Sequence, residues 1–227
     1  MIRIARLTLV CYLPLMTPAR NLYALILAAG ESTRMGTDKA LLPWPPVAPG
    51  FLPTGQTFLS AAIQALDPFS ERVIVVVGKN EANLAPVIYA NGASLVRNPD
   101  PERGQFSSLQ VGLREVLNHG RDSAMVTLVD RPPATAATLN ILCSAFAEAP
   151  SEVWAVVPEY KEKHGHPFLV AREMIEAFLK APPTATAREI EHQNLCHISY
   201  VAVEDARVTM NVDTPDDYAA LSQQVVN

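Results

Sequence analysis

The sequence predicts a single α/β domain with a Rossmann-like, doubly wound and mostly parallel sheet. Apolar runs alternate with amphipathic segments, and most successive residues within each run are apolar instead of alternating between apolar and polar. Continuous apolar runs are typical of parallel strands that helices cover on both faces. No repeat or low-complexity linker divides the chain of 227 residues. Alternating strands and helices with right-handed crossovers then give one doubly wound sheet.

Five segments are predicted as strands, and three as helices. The strand segments are LYALILAA, RVIVVVG, ASLVRN, AMVTLVD and VWAVVPEY. The helix segments are TFLSAAIQAL, SSLQVGLREVLNHG and TAATLNILCSAFAEA. Leu109, Leu113 and Leu117 share one face of the second helix, and Gly120 suits the position after its end.

Composition limits the function classes. Hydrophobic residues make up 49% and charged residues 18%, and the net charge is −5. This composition is typical of a globular protein. The sequence shows no basic cluster of the kind that a nucleic-acid binder would need for a basic face. Cys11, Cys143 and Cys196 are scattered and lack C-x-x-C spacing, which predicts packed thiols in a reducing cytoplasm.

The first 21 residues are predicted to be an N-terminal extension ahead of a domain over 22–227. Arg3 and Arg6 precede a short apolar run, as in a signal peptide, but no A-x-A-like cleavage site follows and Pro14 interrupts the run. The run is also too short to span a bilayer as a helix. Met16 could serve as a second start. A cytoplasmic protein without a membrane segment is the prediction, and a secreted one is the alternative.

A proline-rich stretch, Pro43 to Gly55, cannot form a helix or an interior strand. We expect a loop beside the mouth of the site, acting either as a lid or as an inert surface loop. Trp44 and Trp154 are predicted to serve packing, with the alternative that Trp44 covers a bound ring.

Two aspartates are predicted at the carboxyl ends of strands, where open parallel sheets bind ligands. Asp130 follows the run AMVTLVD, and Asp213 follows RVTMNVD, which we interpret as a further strand. Thr214 is a suitable N-cap, followed by Pro215 at the first helical position and Asp217 two residues later. Both carboxylates should therefore meet at one edge of the sheet.

The loop LILAAGESTRMGTDK follows the first strand and carries Arg34 and Lys39. It matches neither G-x-x-x-x-G-K-[ST] nor G-x-G-x-x-G. Cations facing two carboxylates suggest a magnesium–triphosphate site, because Mg²⁺ takes one or two carboxylates and completes its shell with phosphates and water. From these residues alone, the prediction is an α/β phosphate-binding enzyme.

Five motifs in order resemble the MobA-like nucleotidyltransferases. LAAGESTRMGTDKALL is similar to the family signature L-A-[AG]-G-x-S-x-R-M-G-x-x-K. The other four are VRNPDPERGQFSSLQVGL, LVDRPPATAATL, HGHPFLV and NVDTPDDYAAL. The resemblance runs from about Leu22 to Leu221 and implies the nucleotide-diphospho-sugar transferase type of sheet. The Ala-Ala-Gly form is more like the cytidylyltransferase side of the family.

The resemblance implies a role for each matching position. Arg34, Lys39 and Asp130 would be catalytic, with the two cations neutralising charge on the departing pyrophosphate. Asp130 and Asp213 would bind Mg²⁺. Besides the two cations, the nucleotide-binding residues would be Leu27, Ala28, Ala29, Gly30, Asn98, Gly104 and Ser108.

Acceptor binding is implied for His166. The sequence departs from the family at Arg131, where Gln or Met is common, and at Asn211, where the family has Asp. Arg131 could bind an acceptor phosphate or point to solvent, and Asn211 leaves one less charge near the metal. The remaining histidines are predicted at the surface or in a substrate pocket, not at a metal site.

The activity implied is transfer of CMP from CTP to a phosphorylated small molecule, molybdopterin cofactor, with Mg²⁺ as cofactor and pyrophosphate as product. A molybdoenzyme or its chaperone is the implied protein partner. Two alternatives stay open. One is the same chemistry with a sugar phosphate or with GTP, and the other is a non-catalytic cofactor-maturation partner.

Overall fold

The computed structural model describes residues 22–30, 36–46 and 54–225, and its side chains up to Leu221. Three features named above lie outside this range. They are the N-terminal extension, the loop residue Arg34 and the middle of the proline-rich stretch, residues 47–53.

An eight-stranded sheet forms the centre of the described chain. Its strands are β1 (Leu22–Leu27), β2 (Arg72–Val77), β3 (Ser94–Arg97), β4 (Ser123–Leu128), β5 (Ala155–Tyr160), β6 (Lys163–His164), β7 (Phe168–Ala171) and β8 (Ile198–Ala202). The order is β3-β2-β1-β4-β7-β5-β6, and β8 pairs with β5. Strands β1 to β4 pair in parallel, whereas β7 runs antiparallel between β4 and β5. The predicted doubly wound, mostly parallel sheet is confirmed.

Seven helices pack around this sheet in the described part of the chain. They are α1 (Phe58–Leu66), α2 (Glu81–Ala90), α3 (Gln105–Asn118), α4 (Ala136–Ala147), α5 (Arg172–Lys180), α6 (Ala187–Gln193) and α7 (Pro215–Val225). The three predicted helices correspond to α1, α3 and α4. Gly120 follows α3 with φ of 70°, as its predicted place after the helix end requires.

Two apolar layers bury the sheet on opposite faces. Alternate residues of β1 enter different layers: Leu22, Ala24 and Ile26 face one, and Tyr23, Leu25 and Leu27 face the other. Helices α1, α2 and α4 cover the first face, and α3, α5 and α6 cover the second. This two-sided burial explains why β1 is apolar throughout.

The prediction of a strand over RVTMNVD is wrong. Residues Ala206–Thr209 form a 3₁₀ turn that Asp205 caps by accepting from the Arg207 amide at 3.1 Å. Val208 and Val212 are buried on either side of Met210, so the alternating apolar residues reflect packing and not a β-ladder. Strands β6, β7 and β8 were not anticipated.

A small third cluster anchors the C-terminal helix. Phe58, Val212 and Leu221 are buried together, and Trp44 packs edge-on against Phe58 at 5.0 Å. The Tyr218 hydroxyl donates to the Pro43 carbonyl at 2.8 Å. Packing is thus the role of Trp44, as predicted. Within the described residues, no helix is long and apolar enough to cross a membrane.

Candidate functional site

The sheet reverses its winding at β1, which lies between β2 and β4. Ligands of open α/β sheets bind outside the carboxyl ends of strands at such a point. A cleft of about 300 Å³ lies there. It is lined by Leu27, Ala29, Gly30, Lys39, Pro101, Gly104, Gln105, Ser108, Leu128, Val129, Asp130 and Asp213. Eight of these residues are predicted site residues, while Pro101, Gln105, Leu128 and Val129 are not.

The end of β1 forms one wall of the cleft. Ala28 is buried and donates its amide to the Val76 carbonyl at 2.8 Å, so it supports the wall from behind. Gly30 is exposed, and a Cβ added there would meet no described atom within 4 Å. A Cβ on Gly78 would instead lie 2.7 Å from the Ala29 carbonyl oxygen. Gly78 therefore permits the close approach of β2 to this wall.

Asn80 joins the loop after β1 to the turn that carries Lys39. Its Nδ2 donates to the Ala28 carbonyl and to Oδ2 of Asp38, both at 2.9 Å, and its Oδ1 accepts from the Gly78 amide. Asp38 in turn accepts from the Ala40 amide and so caps the short 3₁₀ turn Lys39–Leu41. Sequence reasoning missed Asn80, because an asparagine at the start of a helix is an ordinary capping residue.

Lys39 contacts both predicted metal ligands. Its Nζ lies 2.7 Å from Oδ1 of Asp213 and 3.6 Å from Oδ2 of Asp130. The Lys39 side chain is 12% exposed, and those of Asp130 and Asp213 are 26% and 38% exposed. The predicted meeting of the two carboxylates at one edge of the sheet is thus observed.

Asp213 reaches this position from a loop and not from a strand. The Val212 amide donates to the Asp130 carbonyl at 2.9 Å, which joins the two acidic segments. The Asn211 side-chain amide donates to Oδ2 of Asp213. Behind it, Thr214 accepts from the Asp217 amide at 3.2 Å and Asp217 accepts from the Thr214 amide at 2.8 Å. This reciprocal cap confirms the predicted helix start.

Asp130 is suited to hold a cation. Burial raises the pKa of its carboxyl group, with repulsion from Asp213 in the same direction, and the charges of Lys39 and Arg131 oppose the rise. Its Oδ1 is shielded from water and has no hydrogen-bond partner among the described residues. A buried carboxylate oxygen without a partner is costly, and a divalent cation would satisfy it.

The two carboxylates match a metal site whose other ligands would come from a phosphate and from water. No group of three or more His, Cys, Asp or Glu side chains that could hold a metal ion occurs among the described residues. Two carboxylates leave room for phosphate oxygens and water, which is the usual coordination of protein-bound Mg²⁺.

Asn98 holds the opposite wall without lining the cleft. It is buried, and its Nδ2 donates to Oγ of Ser107 and Ser108 at 2.9 and 3.0 Å. Ser108 and Gly104 do line the cleft, and Gly104 has φ of 90° immediately before α3. The structure therefore places Asn98 as a support for Ser108.

A second cavity, of about 700 Å³, shares a wall with the cleft. The shared residues are Leu27, Gly104, Gln105 and Leu128. Its cationic lining comes from Arg103, Arg131 and Arg188, against one acid, Glu191. The two predicted acceptor residues, Arg131 and His166, both line this cavity.

Arg131 does not point freely to solvent. Its Nη1 donates to the Met210 carbonyl at 3.0 Å and to the Val208 carbonyl at 3.5 Å, whereas its buried Nε has no partner among the described residues. Burial lowers the pKa of the guanidinium from its ordinary value, against the charges of Asp130 and Asp213. Arg131 therefore links the segment before Asp213 to the second cavity.

His166 is a neutral imidazole at this cavity. Burial, together with the charge of Arg131, lowers its pKa to about 3. The residue as a whole is half-buried, but its Nδ1 is shielded from water and has no partner among the described groups. Gly165 lets this segment approach the 3₁₀ turn, since a Cβ there would lie 2.2 Å from the Val208 carbonyl oxygen.

The other predicted surface histidines lie away from the cleft. His164 is exposed and stacks on Tyr200 at 3.9 Å. His197 stacks on Trp154 at 3.6 Å, which gives Trp154 its predicted packing role.

Comparison with known proteins identifies the family. The model of the MobA-like NTP transferase domain matches residues 24–198. The chain belongs to the MobA-like NTP transferase family. The predicted resemblance is confirmed, and as a member of this family the chain is a nucleotidyltransferase.

Relatives in this family differ in the nucleotide that their names state. The molybdenum cofactor cytidylyltransferase of Escherichia coli K12 is 27% identical over 202 residues, which cover 88% of this chain and 95% of that protein. A probable molybdenum cofactor guanylyltransferase of Rhodopirellula baltica is 32% identical over 132 residues, 58% of this chain and 59% of that one.

Solved structures share the fold. Rv0371c of Mycobacterium tuberculosis H37Rv superposes with a TM-score of 0.74 at 27% identity, covering 92% of this chain and all of that one. Rv0371c has also been solved in complex with manganese. That structure superposes with a TM-score of 0.68 at 22% identity, covering 89% of this chain and 98% of the Rv0371c chain.

Proposed function

We propose that this nucleotidyltransferase transfers CMP from CTP to the phosphate of molybdopterin cofactor, with Mg²⁺ and release of pyrophosphate. One observation carries the proposal. Lys39, Asp130 and Asp213 converge at a cleft that shares a wall with a second, arginine-lined cavity. Such a pair of cavities suits one nucleotide donor and one anionic acceptor.

The cleft beside Lys39 is the proposed donor site. The amino end of α3 faces it, because Gly104, Gln105 and Ser108 all line the cleft. Gly104 has no side chain to cap this helix, so its first amides and its positive dipole end can meet an anion. Lys39 supplies a full positive charge to the same space, and Arg34 is proposed as a second cation.

The larger cavity is the proposed acceptor site. Arg103, Arg131 and Arg188 would bind an anionic group, because guanidinium matches phosphate oxygens in geometry and charge. Phe106 and Phe168 also line the cavity and offer apolar surface to a flat heterocycle. An acceptor that carries both a ring and a phosphate fits this lining.

The proposed reaction needs no general base. An oxygen of the acceptor phosphate attacks the α-phosphorus of the nucleotide and forms a new P–O bond. The bond from the α-phosphorus to the bridging oxygen breaks, and pyrophosphate leaves with that electron pair. A phosphate monoester has a second pKa of about 6, so it is mostly dianionic at neutral pH and has no proton to lose.

The chain's own residues would position the reactants and offset their charge. Lys39 would bind triphosphate oxygens, and Gly30 leaves space for them beside the backbone. Asp130 and Asp213 would hold a magnesium ion, whose charge would offset that of the leaving pyrophosphate. The manganese complex of Rv0371c supports a divalent cation in a structure with this fold.

CTP is proposed as donor from the Ala-Ala-Gly form of the loop and from the match to the E. coli cytidylyltransferase over 88% of this chain. The guanylyltransferase match to the R. baltica protein makes GTP the second candidate. Molybdopterin cofactor is proposed as acceptor because the names of both relatives state the molybdenum cofactor. A cytoplasmic location is proposed with this function.

Pyrophosphate release tests the proposal. The full chain is incubated with each of the four NTPs and Mg²⁺, with or without molybdopterin cofactor. The expected result is release from CTP that depends on the pterin. Pterin-dependent release from GTP would overturn the choice of donor, and release only with a sugar phosphate would overturn the acceptor. No release under any condition, with cofactor still bound, would identify a non-catalytic maturation partner.

A further inference from the structure

We infer that Lys39 is the counter-ion of the two carboxylates in the metal-free protein and competes with the divalent cation for Asp213. The inference rests on the proposed function, in which Asp130 and Asp213 hold the cation. It adds that Lys39 changes partners during the reaction cycle, from a carboxylate to the triphosphate.

The contacts of the two acids are unequal. Both oxygens of Asp213 are engaged, Oδ2 by the Asn211 amide and Oδ1 by Lys39 Nζ at 2.7 Å. Asp130 is farther from Lys39, at 3.6 Å, and its buried Oδ1 accepts nothing from the described residues. Asp130 therefore has an oxygen with no competing partner in the described part of the chain, whereas a cation at Oδ1 of Asp213 would share that oxygen with the Lys39 ammonium.

A divalent cation that arrives alone meets the Lys39 ammonium in the same small space. The Lys39 side chain is 12% exposed, so water screens this repulsion poorly. A triphosphate changes the balance, because it brings several negative charges to which Lys39 can turn. Oδ1 of Asp213 is then released to the cation.

Binding of the cation and of the nucleotide should therefore favour each other. By thermodynamic linkage, whatever the nucleotide adds to cation affinity the cation adds to nucleotide affinity. Part of this coupling would come from Lys39 itself, beyond any direct contact between the cation and the phosphates.

Binding of Mn²⁺ alone, without nucleotide, isolates the role of Lys39. Free Mn²⁺ is measured by electron paramagnetic resonance during titration of the full-length wild type, Lys39→Met and Lys39→Arg. Lys39→Met should bind Mn²⁺ about tenfold more tightly than the wild type, because the competing charge is gone. Lys39→Arg keeps a cation there and should stay close to the wild type.

Two further variants serve as controls. Lys79→Met removes a positive charge from the nearby exposed pair with Glu102 and should leave Mn²⁺ affinity within about twofold. Asp130→Asn should abolish Mn²⁺ binding in both the wild-type and the Lys39→Met backgrounds. Circular dichroism establishes that each variant is folded.

Mn²⁺ affinity that is equal in the wild type and Lys39→Met would overturn the inference, as would an equal gain in Lys79→Met. Binding that survives Asp130→Asn would also overturn it, because the cation would lie elsewhere. This readout is independent of catalysis. A wild type that transfers no nucleotide to any acceptor would refute the proposed function, and the Mn²⁺ titration would still decide the competition.

Discussion

At the scale of single residues, the cleft depends on two ionic contacts that one lysine makes with two acids. Lys39 and Asp130 are each held in place by neighbours, Lys39 through the capped turn after Asp38 and Asp130 through its backbone bond to Val212. Their charged groups have no packing role in either apolar layer. Catalysis and folding should therefore respond differently when they are changed.

Replacement of Asp130 by Ala, or of Lys39 by Ala, should lower nucleotidyl transfer at least about 100-fold, because each removes charge complementarity to the triphosphate or its cation. Pyrophosphate release gives the rate, and circular dichroism should show an intact fold. His164→Asn, on an exposed histidine away from the cleft, is the matched control and should keep full activity. Near-full activity in either cleft variant would refute the site assignment.

Two glycines of the β1–β2 edge should behave in opposite ways when changed to alanine. The methyl group added in Gly30→Ala would meet no described atom within 4 Å, so the free energy of unfolding should change by less than about 0.5 kcal/mol. The KM for CTP should rise. Gly78→Ala places a methyl group 2.7 Å from the Ala29 carbonyl and should destabilise by about 1–3 kcal/mol. Urea denaturation and nucleotide kinetics measure the two effects. An unchanged KM in Gly30→Ala would argue against nucleotide at this wall.

His166 should make stability depend on pH. Its pKa is lowered to about 3 in the folded chain, from an ordinary 6.5, by burial and by the charge of Arg131. Between these values the unfolded chain binds a proton that the folded chain does not, so stability falls as pH decreases from about 6.5 towards 3. A single group of this kind gives a slope of at most about 1.4 kcal/mol per pH unit.

Urea denaturation of wild type, His166→Gln and His164→Asn between pH 7 and pH 4.5 measures this slope. His166→Gln should lose part of the slope, whereas His164→Asn, exposed on β6, should retain it. Equal slopes in wild type and His166→Gln would show that His166 takes up its proton in the folded state as readily as in the unfolded one.

At the scale of elements, Asn80 connects three pieces of chain that end at the cleft. One side-chain amide bonds Ala28 after β1, Gly78 after β2 and Asp38 before the Lys39 turn. No other side chain in the described part of the chain makes all three contacts. The geometry of the β1 wall relative to Lys39 therefore depends on this residue.

Asn80→Ala should raise the KM for CTP about tenfold and leave the KM for the acceptor unchanged, because the second cavity does not contact Asn80. The matched control is Asn91→Ala, which removes a similar amide that bonds the Val87 carbonyl and Gln64 at the end of α2. Both variants should lose about 1 kcal/mol of stability for the lost hydrogen bonds. Equal nucleotide KM values in the two variants would assign Asn80 a purely structural role.

Segment patterns predicted five of the eight described strands, three of the seven described helices and the start of α7, and they missed α2, α5, α6 and β6 to β8. Strands β1 to β5 and helices α1, α3 and α4 follow from long apolar runs and periodic faces, which tertiary contacts did not override. RVTMNVD alternates like a strand, yet the chain turns there, in a 3₁₀ turn that Asp205 caps and for which Gly165 leaves room beside Val208. Strands β6 and β8 are short or partly exposed and lack a continuous buried apolar run, while β7 is apolar and buried but only four residues long.

At the scale of the whole molecule, the doubly wound sheet explains why distant residues meet. Lys39 and Asp213 are 174 positions apart, and their contact follows from the reversal of the sheet at β1 and from the loop before α7, where the Val212 amide bonds the Asp130 carbonyl. The end of the strand before Asp130 was predicted correctly, whereas the shared edge was right for Asp213 although the strand predicted before it is a 3₁₀ turn and a loop. The sequence could not predict a role for Asn80 or Arg188, or that Asn98 supports Ser108, because these roles depend on the directions of side chains.

Transfer of labelled phosphate tests the central claim most directly. The full chain is incubated with molybdopterin cofactor, Mg²⁺ and CTP labelled with ³²P at either the α- or the γ-position, and the products are separated. Label from the α-position should appear in the pterin product, and label from the γ-position should appear only in pyrophosphate. Label from the γ-position in the pterin, or α-label that remains wholly in nucleotide, would contradict nucleotidyl transfer at this site.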